Sequence, residues 1–431
     1  MPLIKTLSQA LRMDKERFKV PKSVQQAIPI QRIWPDGIFQ QGTKFSKTYR
    51  FTDINYYIAS KDNKTEMFLD YSELLNSLDS GISAKITINN RRINKEEFEK
   101  SILLPMKEDG LDHYREEYNE MLLSKITGTN NSIYQERYLT VSVHKKNIDE
   151  ARTYFARVGT DIITHLSKLS SIGEELDAEQ RLQIFRDFFR ADEPQCFPFD
   201  MKAFAKKGSS FKDWICPQSM EFSKDCFKIN ERFGRVLYMQ DYASYVKDDM
   251  ISELCDLSRD LMLSIDILPV PTDEAARQLQ STLLGVETNV ANWQRRQNAN
   301  NNFTATIPYD MELQRKETKE MLDDLTTRDQ RMMFGLVTLV HLADSKEQLD
   351  SDTETLYSTA RKHLCQLSTL RWQQKDGLDT VLPYGLRKIQ ALRTLTTEST
   401  AVLIPFRAQE IMQPNGLYYG QNAVSKNMIV A

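Results

Sequence analysis

Gly420 to Asn427 read G-Q-N-A-V-S-K-N, two substitutions from the phosphate-binding loop G-x-x-x-x-G-K-[ST]. In such a loop the second glycine lets backbone amides wrap the phosphates. The lysine then reaches the β- and γ-phosphates, and the hydroxyl binds Mg²⁺. Here Ser425 stands at the glycine position and Asn427 at the hydroxyl position. The loop should also open a helix, whereas N-M-I-V-A reads as the beginning of a strand and the chain stops at Ala431. No nucleotide site is expected from this stretch.

Other chemistry-bearing residues are scattered. The histidines are His113, His144, His165, His341 and His363, with no H-E-x-x-H, so zinc catalysis is not expected. Cysteines at 196, 216, 226, 255 and 365 include no C-x-x-C pair and read as buried thiols in a reducing compartment. K-K-G-S-S-F-K-D lacks the G-x-S-x-G elbow of a serine nucleophile. Asp344, at the end of an apolar strand, reads as a helix cap with Glu347 as its capping-box partner. Q-R-R-Q-N-A-N-N-N has two arginines but no interleaved aromatics to stack bases, and reads as a solvated loop.

The elements that would position these residues alternate in type. D-G-I-F-Q-Q-G-T-K-F-S-K-T-Y-R-F predicts a hairpin turning near Gly42, with Phe45, Tyr49 and Phe51 on one face. S-A-K-I-T-I-N-N predicts a strand with Ala84, Ile86 and Ile88 inward and Lys85, Thr87 and Asn89 outward. R-Y-L-T-V-S-V-H-K predicts another, burying Leu139, Val141 and Val143. Helices are expected near 65–78, 111–126, 148–169 and 178–190. Farther on, strands are expected at G-R-V-L-Y-M-Q-D-Y, L-M-L-S-I-D-I-L and R-M-M-F-G-L-V-T-L-V-H-L-A, and near Leu370 to Trp372. Between the last strands, Ala276, Leu279, Leu283, Val286, Val290 and Trp293 repeat at helical spacing, and a charged helix covers about 310–325. Leu349, Leu356, Ala360, Leu364 and Leu367 mark one side of the next helix.

These patterns define an α+β chain of two mixed α/β-layer domains, the second ferredoxin-like or split βαβ. The expected divisions are a basic arm at 1–22, a first α+β domain at 23–191 (a docking domain on the resemblance given below), a linker or extended loop at 192–226, a second domain at 227–406 and a C-terminal segment at 407–431, which that resemblance makes the start of a further domain. Residues 227–406 are expected to fold alone. No long internal repeat is visible in the sequence. At 431 residues and a net charge of −3, nothing global favours nucleic acid. In the arm, Leu3, Ile4, Leu7 and Leu11 share a helical face bordered by Lys5, Arg12, Lys15, Arg17, Lys19 and Lys22, a surface for weak contact with anionic lipid. The longest apolar stretch, Met332 to Ala343, is too short to span a bilayer, which takes about 20 apolar residues.

Taken in order, R-V-L-Y-M-Q-D-Y-A-S-Y-V, L-M-L-S-I-D-I-L-P-V-P, R-M-M-F-G-L-V-T-L-V-H-L-A, L-P-Y-G, R-T-L-T-T-E-S-T-A-V-L-I-P-F and G-L-Y-Y-G-Q-N-A-V-S-K-N-M-I-V-A resemble the conserved ATPase subunit of type IV secretion and conjugal transfer machines, in the form carried by Gram-positive conjugative elements. V-P-K-S-V-Q-Q-A-I-P-I-Q-R-I-W-P-D-G-I-F, K-T-Y-R-F-T-D-I-N-Y-Y-I-A-S and K-I-T-I-N-N-R-R-I-N extend the likeness over nearly the whole chain. The resemblance implies that Gly420, Asn422 and Ser425 belong to a strand element just upstream of the family's true phosphate loop. ATP and Mg²⁺ would then be ligands of the full-length family, with no cofactor and no catalytic residue in this chain. It further implies docking to inner-membrane channel subunits, self-association, and a cytoplasmic place at the inner face of the membrane, with no specific nucleic acid. The alternatives are a fragment of an intact ATP-hydrolysing motor and a free-standing DNA-transfer adaptor.

Overall fold

The computed structural model describes residues 14, 21–92, 103–128, 133–191, 199–206, 208–243, 245–256, 259–300, 302, 306–328, 330–408, 416–421 and 428–430. The α+β class holds: helices cover an antiparallel sheet of thirteen strands. The chain enters through β1 (Arg32–Ile33), β2 (Phe39–Gln41) and β3 (Lys44–Phe51). The β2–β3 hairpin turns at Gly42, whose φ of +55° suits glycine. As expected, Phe45, Tyr49 and Phe51 enter the main core. Next come α1 (Lys61–Ser77), β4 (Ser83–Arg92), α2 (Asp112–Gly128), β5 (Ile133–His144), α3 (Ile148–Lys168), β6 (Gly173–Glu175) and α4 (Ala178–Phe189). Helix α3 forms because its apolar residues Ala151, Phe155, Val158, Ile162 and Leu166 share one stripe. Asn147 caps it, its Oδ1 accepting from the Glu150 amide at 2.9 Å.

The second half repeats this plan. It comprises β7 (Met220–Phe222), β8 (Phe227–Ile229), β9 (Arg232–Asp241), α5 (Met250–Leu254) and β10 (Leu261–Pro269). Then follow α6 (Thr272–Ala299), α7 (Tyr309–Thr327), β11 (Met332–Ala343), α8 (Lys346–Lys362), β12 (Gln366–Thr369), α9 (Gln374–Val381) and β13 (Arg393–Thr396), which pairs with β11. In the first half the strands lie in the order β6-β3-β5-β4, and in the second β12-β9-β11-β10. Both are the split βαβ order of a ferredoxin-like unit, each preceded by a pair of short strands on the same edge. The likeness extends to turn conformations. Gly42 and Asn230 open the first long strands at φ +55° and +52°, and Ser170 and Leu364 end α3 and α8 at φ +59° and +56°. Just after these, Ser171 N donates to Leu166 O at 2.9 Å and Cys365 N to Ala360 O at 3.0 Å.

The halves join through β4 and β10, antiparallel from Ala84↔Ile267 to Asn90↔Leu261. At the middle of this seam Thr87 and Ser264 face each other, their hydroxyls 2.9 Å apart. The seam therefore lies on a local two-fold relation. One core cluster runs across it, combining Ile86 and Leu139 with Ile265 and Leu339.

Several expectations are corrected here. Lys85, Thr87 and Asn89 do not face water: α9 and the residues after it cover that side, leaving Lys85 1% exposed. A large sheet buried on both faces does not alternate polar and apolar in the usual way. The stretch 199–226 is not an extended linker, because Phe199, Trp214 and Ile215 sit in the second core cluster. The division at 192–226 falls between the two halves in sequence, but the sheet runs on across both through β4 and β10. Helix α6 runs through Q-R-R-Q-N to Ala299 rather than breaking there. Ser345, not Asp344, caps α8, its Oγ accepting from Gln348 N at 3.2 Å. Leu364 lies beyond that helix and is exposed, and β12 ends at Thr369, just before Leu370 to Trp372.

Candidate functional site

In each half, the segment between the second and third long strands is an insertion that stands away from the sheet. It is α2 with its flanks in the first half and the α6–α7 hairpin in the second. Because β4 and β10 are antiparallel neighbours, their C-terminal ends point oppositely, so the two insertions leave from opposite ends of the sheet.

The α6–α7 insertion is a two-stranded antiparallel coil. Leu279, Leu283, Val286, Val290, Trp293 and Gln297 are its shielded positions, spaced alternately by four and three. Met311, Arg315, Thr318, Leu322 and Leu325 keep the same spacing on α7. Arg315 Nε donates to Glu287 Oε1 at 2.8 Å across the pair. At its base the coil joins the body through Ala275, Leu279 and Leu325, which pack with Leu268, Met332 and Phe334. With 28 residues in α6, the arm is about 42 Å long at a rise of about 1.5 Å per residue. Leu284, Tyr309 and Leu313 are exposed on it.

The α2 insertion receives the C-terminal segment. Tyr418 N donates to Tyr118 Oη at 2.7 Å, and Tyr418 packs in a small apolar cluster with Leu103, Tyr118, Met121 and Leu122. Tyr418 belongs to a separate two-stranded sheet of β14 (Tyr418–Gln421) and β15 (Met428–Val430). Around this contact Met106, Leu111, Tyr114, Leu417 and Tyr419 are exposed. The path leading there is bolted to the first half. Asp53 accepts from the amides of Arg407 and Ala408 at 2.7 and 2.9 Å and pairs with Arg137 at 2.7 Å. Arg137 Nε also donates to Pro405 O at 2.7 Å.

Of the residues singled out from sequence, Gly420 lies in β14 at φ +151°. Asn422 and Ser425 lie outside the described residues, as do Lys5, Arg12, Lys15, Arg17 and Lys19. Lys22 is described and exposed, its amide donating to Gln26 Oε1 at 2.9 Å. Asp14 is described too: its carboxylate takes Lys44 Nζ at 2.7 Å and the Arg387 amide at 2.9 Å. That contact ties the arm to the body. Among the described residues no helix is long and apolar enough to cross a membrane.

Two polar groupings were not foreseen. Lys85 and Asp266 pair across the seam at 3.0 Å, both buried. Lys85 Nζ also donates to Leu386 O at 3.1 Å and to Thr380 O. Burial lowers the Lys85 pKa and raises that of Asp266, each opposed by the other's charge. Three acceptors around Nζ fit an ammonium with its three protons, so the pair is ionic. The second grouping is Asp249, Glu253 and His363, which converge between α5 and the end of α8. Its i, i+4 carboxylates were visible in sequence; the histidine, 110 positions on, was not.

No known protein family matches the chain, and no curated protein matches it significantly.

Proposed function

We propose that the chain is the docking and assembly part of a type IV secretion or conjugation ATPase, itself without a nucleotide site. The resemblance of the ordered stretches supports this reading, and those stretches include β9, β10, β11 and part of the C-terminal path. The observation that carries it is the pair of insertions leaving opposite ends of one sheet, each bearing exposed apolar side chains. Such a body suits a part that holds two neighbours apart at set positions. One neighbour is an inner-membrane channel subunit and the other a second copy of the chain. ATP and Mg²⁺ would be bound by a motor beyond β15, and transfer of DNA or protein would depend on that motor.

The test is association with the inner-membrane subunits of a conjugation channel, measured by sedimentation velocity. Leu284→Asp with Leu313→Asp on the arm, and Leu111→Asp with Tyr114→Asp at α2, should each weaken complex formation at least tenfold while leaving the melting temperature unchanged. Unaltered association in both double variants refutes the docking role. Saturable ATP binding abolished by Lys426→Ala refutes the non-catalytic role.

Peripheral attachment at the inner membrane face belongs to the same proposal, at about 1 kcal/mol per basic residue near anionic lipid. Replacing Lys5, Arg12, Lys15, Arg17 and Lys19 by Gln, with Asp14 kept to hold Lys44 and Arg387, should reduce sedimentation with anionic vesicles. Sedimentation unaffected by these changes and by salt removes the membrane role.

A further inference from the structure

The ends of α3 and α8 are equivalent places with different chemistry. Leu169 and His363 each follow the helix directly and precede the left-handed residues Ser170 and Leu364. Both side chains are enclosed: Leu169 is 2% exposed and the His363 side chain 3%. An apolar side chain thus satisfies the fold at this place, and packing alone does not require a histidine.

Two carboxylates meet that imidazole from α5. Glu253 Oε2 lies 3.0 Å from Nε2, and Asp249 Oδ1 lies 3.5 Å from Nδ1. Glu253 is held on its other side by Lys362 Nζ at 2.7 Å. Asp249 Oδ1 is buried and has no hydrogen-bond donor. A neutral imidazole that gives its Nε2–H to Glu253 turns the bare Nδ1 lone pair toward Asp249. Two acceptors then face each other, and a positive centre between them relieves the repulsion. Bonds of about 2.1 Å at a tetrahedral zinc set two ligand atoms about 3.4 Å apart, close to the separation of Nδ1 and Oδ1. A carboxylate on the far ring nitrogen is also the usual support of a metal-bound histidine, fixing its tautomer and raising its basicity.

We propose that His363 Nδ1 and Asp249 Oδ1 bind a divalent transition-metal ion of the zinc type, with Glu253 orienting the imidazole and water completing the shell. The ion would add a coordinate link between α5 and the end of α8, whose apolar residues Met250, Leu254, Leu356 and Ala360 share the main core. Imidazole with carboxylate suits zinc, cobalt or nickel better than Mg²⁺ or Ca²⁺.

The experiment uses the full chain. Zn²⁺ is titrated in competition with a chromophoric chelator, and Co²⁺ binding is followed by visible absorption. One equivalent should bind, with cobalt d–d bands and no sulfur-to-cobalt charge transfer, which separates this site from the cysteines. His363→Leu, the residue of the equivalent place, should lower affinity at least tenfold. Glu253→Gln should lower it by about 10- to 100-fold, as loss of an orienting partner does. Lys362→Ala should leave it equal or tighter, because a competing ammonium departs. If His363→Leu fails to fold, Asp249→Asn on the more exposed partner gives the same readout. Absence of saturable binding, or one equivalent that survives both His363→Leu and Asp249→Asn, overturns the proposal and leaves His363 as a partner of Glu253 alone.

Discussion

His341 lies near the C-terminal end of a fully buried strand, and its surroundings settle its tautomer. Thr353 Oγ1 donates to Leu349 O at 2.7 Å, accepts from Arg235 at 2.8 Å and lies 3.1 Å from His341 Nε2. A hydroxyl has one proton, already directed at Leu349, so Nε2 must carry the hydrogen. Nδ1 is left buried with no partner. Burial, with the nearby Arg235 guanidinium, holds the His341 pKa down to about 3. A histidine kept neutral in the fold is protonated first in the unfolded chain, from about pH 6.5. Unfolded chain therefore binds more protons between about pH 6.5 and 3, and stability falls as pH falls through that window. Between pH 7 and 5 the loss from this residue should be about 2 kcal/mol. Urea midpoints should show it, and His341→Asn should flatten the slope; an equal slope in the variant assigns the acid sensitivity elsewhere. From the sequence, this histidine was one polar letter in an apolar run. Its partners come from positions 235 and 353, which only the fold joins.

Among the elements, α6 and α7 separate local pattern from tertiary context most clearly. The apolar spacing from Leu279 to Trp293 was readable as helix, because period is written in the chain itself. The amide-rich Q-R-R-Q-N-A-N-N-N misled because Asn and Gln lower helix propensity only modestly. Pairing with α7 extends the helix through Arg295 and Arg296 to Ala299. Since, among the described residues, the arm meets the body near Ala275, Leu279, Leu322 and Leu325, its outer half should contribute little to global stability. Replacing residues 283–321 by a short turn should shift the melting temperature by no more than a few degrees, while Leu279→Asp at the base should cost several kcal/mol. A large loss on trimming shows instead that the arm packs back on the body.

For the whole molecule, the seam decides cooperativity. Cutting the chain into halves would expose β10 as a sheet edge and leave Asp266 without Lys85. Removing one partner of a buried pair typically costs about 3 to 5 kcal/mol, and the main cluster would lose the residues it draws from the other half. The full chain should therefore unfold in one transition, seen alike by circular dichroism and by tryptophan fluorescence. Residues 227–406 alone should be aggregation-prone or protease-sensitive. Two separated transitions, or a stable monomeric fragment, contradicts a shared fold.

The identity of the long strands, the Gly42 hairpin and the inward faces of β4 and β5 followed from the sequence alone, because side-chain period and turn chemistry are local. The duplication did not. Two copies of one topology need share only apolar period and left-handed turn positions, and Gly42 with Asn230, or Ser170 with Leu364, meet the same backbone requirement with different residues. The continuity of the sheet was equally invisible, since β4 and β10 pair across more than 170 positions and nothing local marks a strand as a partner for one so distant. The convergence of Asp249 and Glu253 on His363 also arises only when α5 and the end of α8 are packed together. Burial supplies the reason in each case: what a residue does here depends on which distant surface excludes its water.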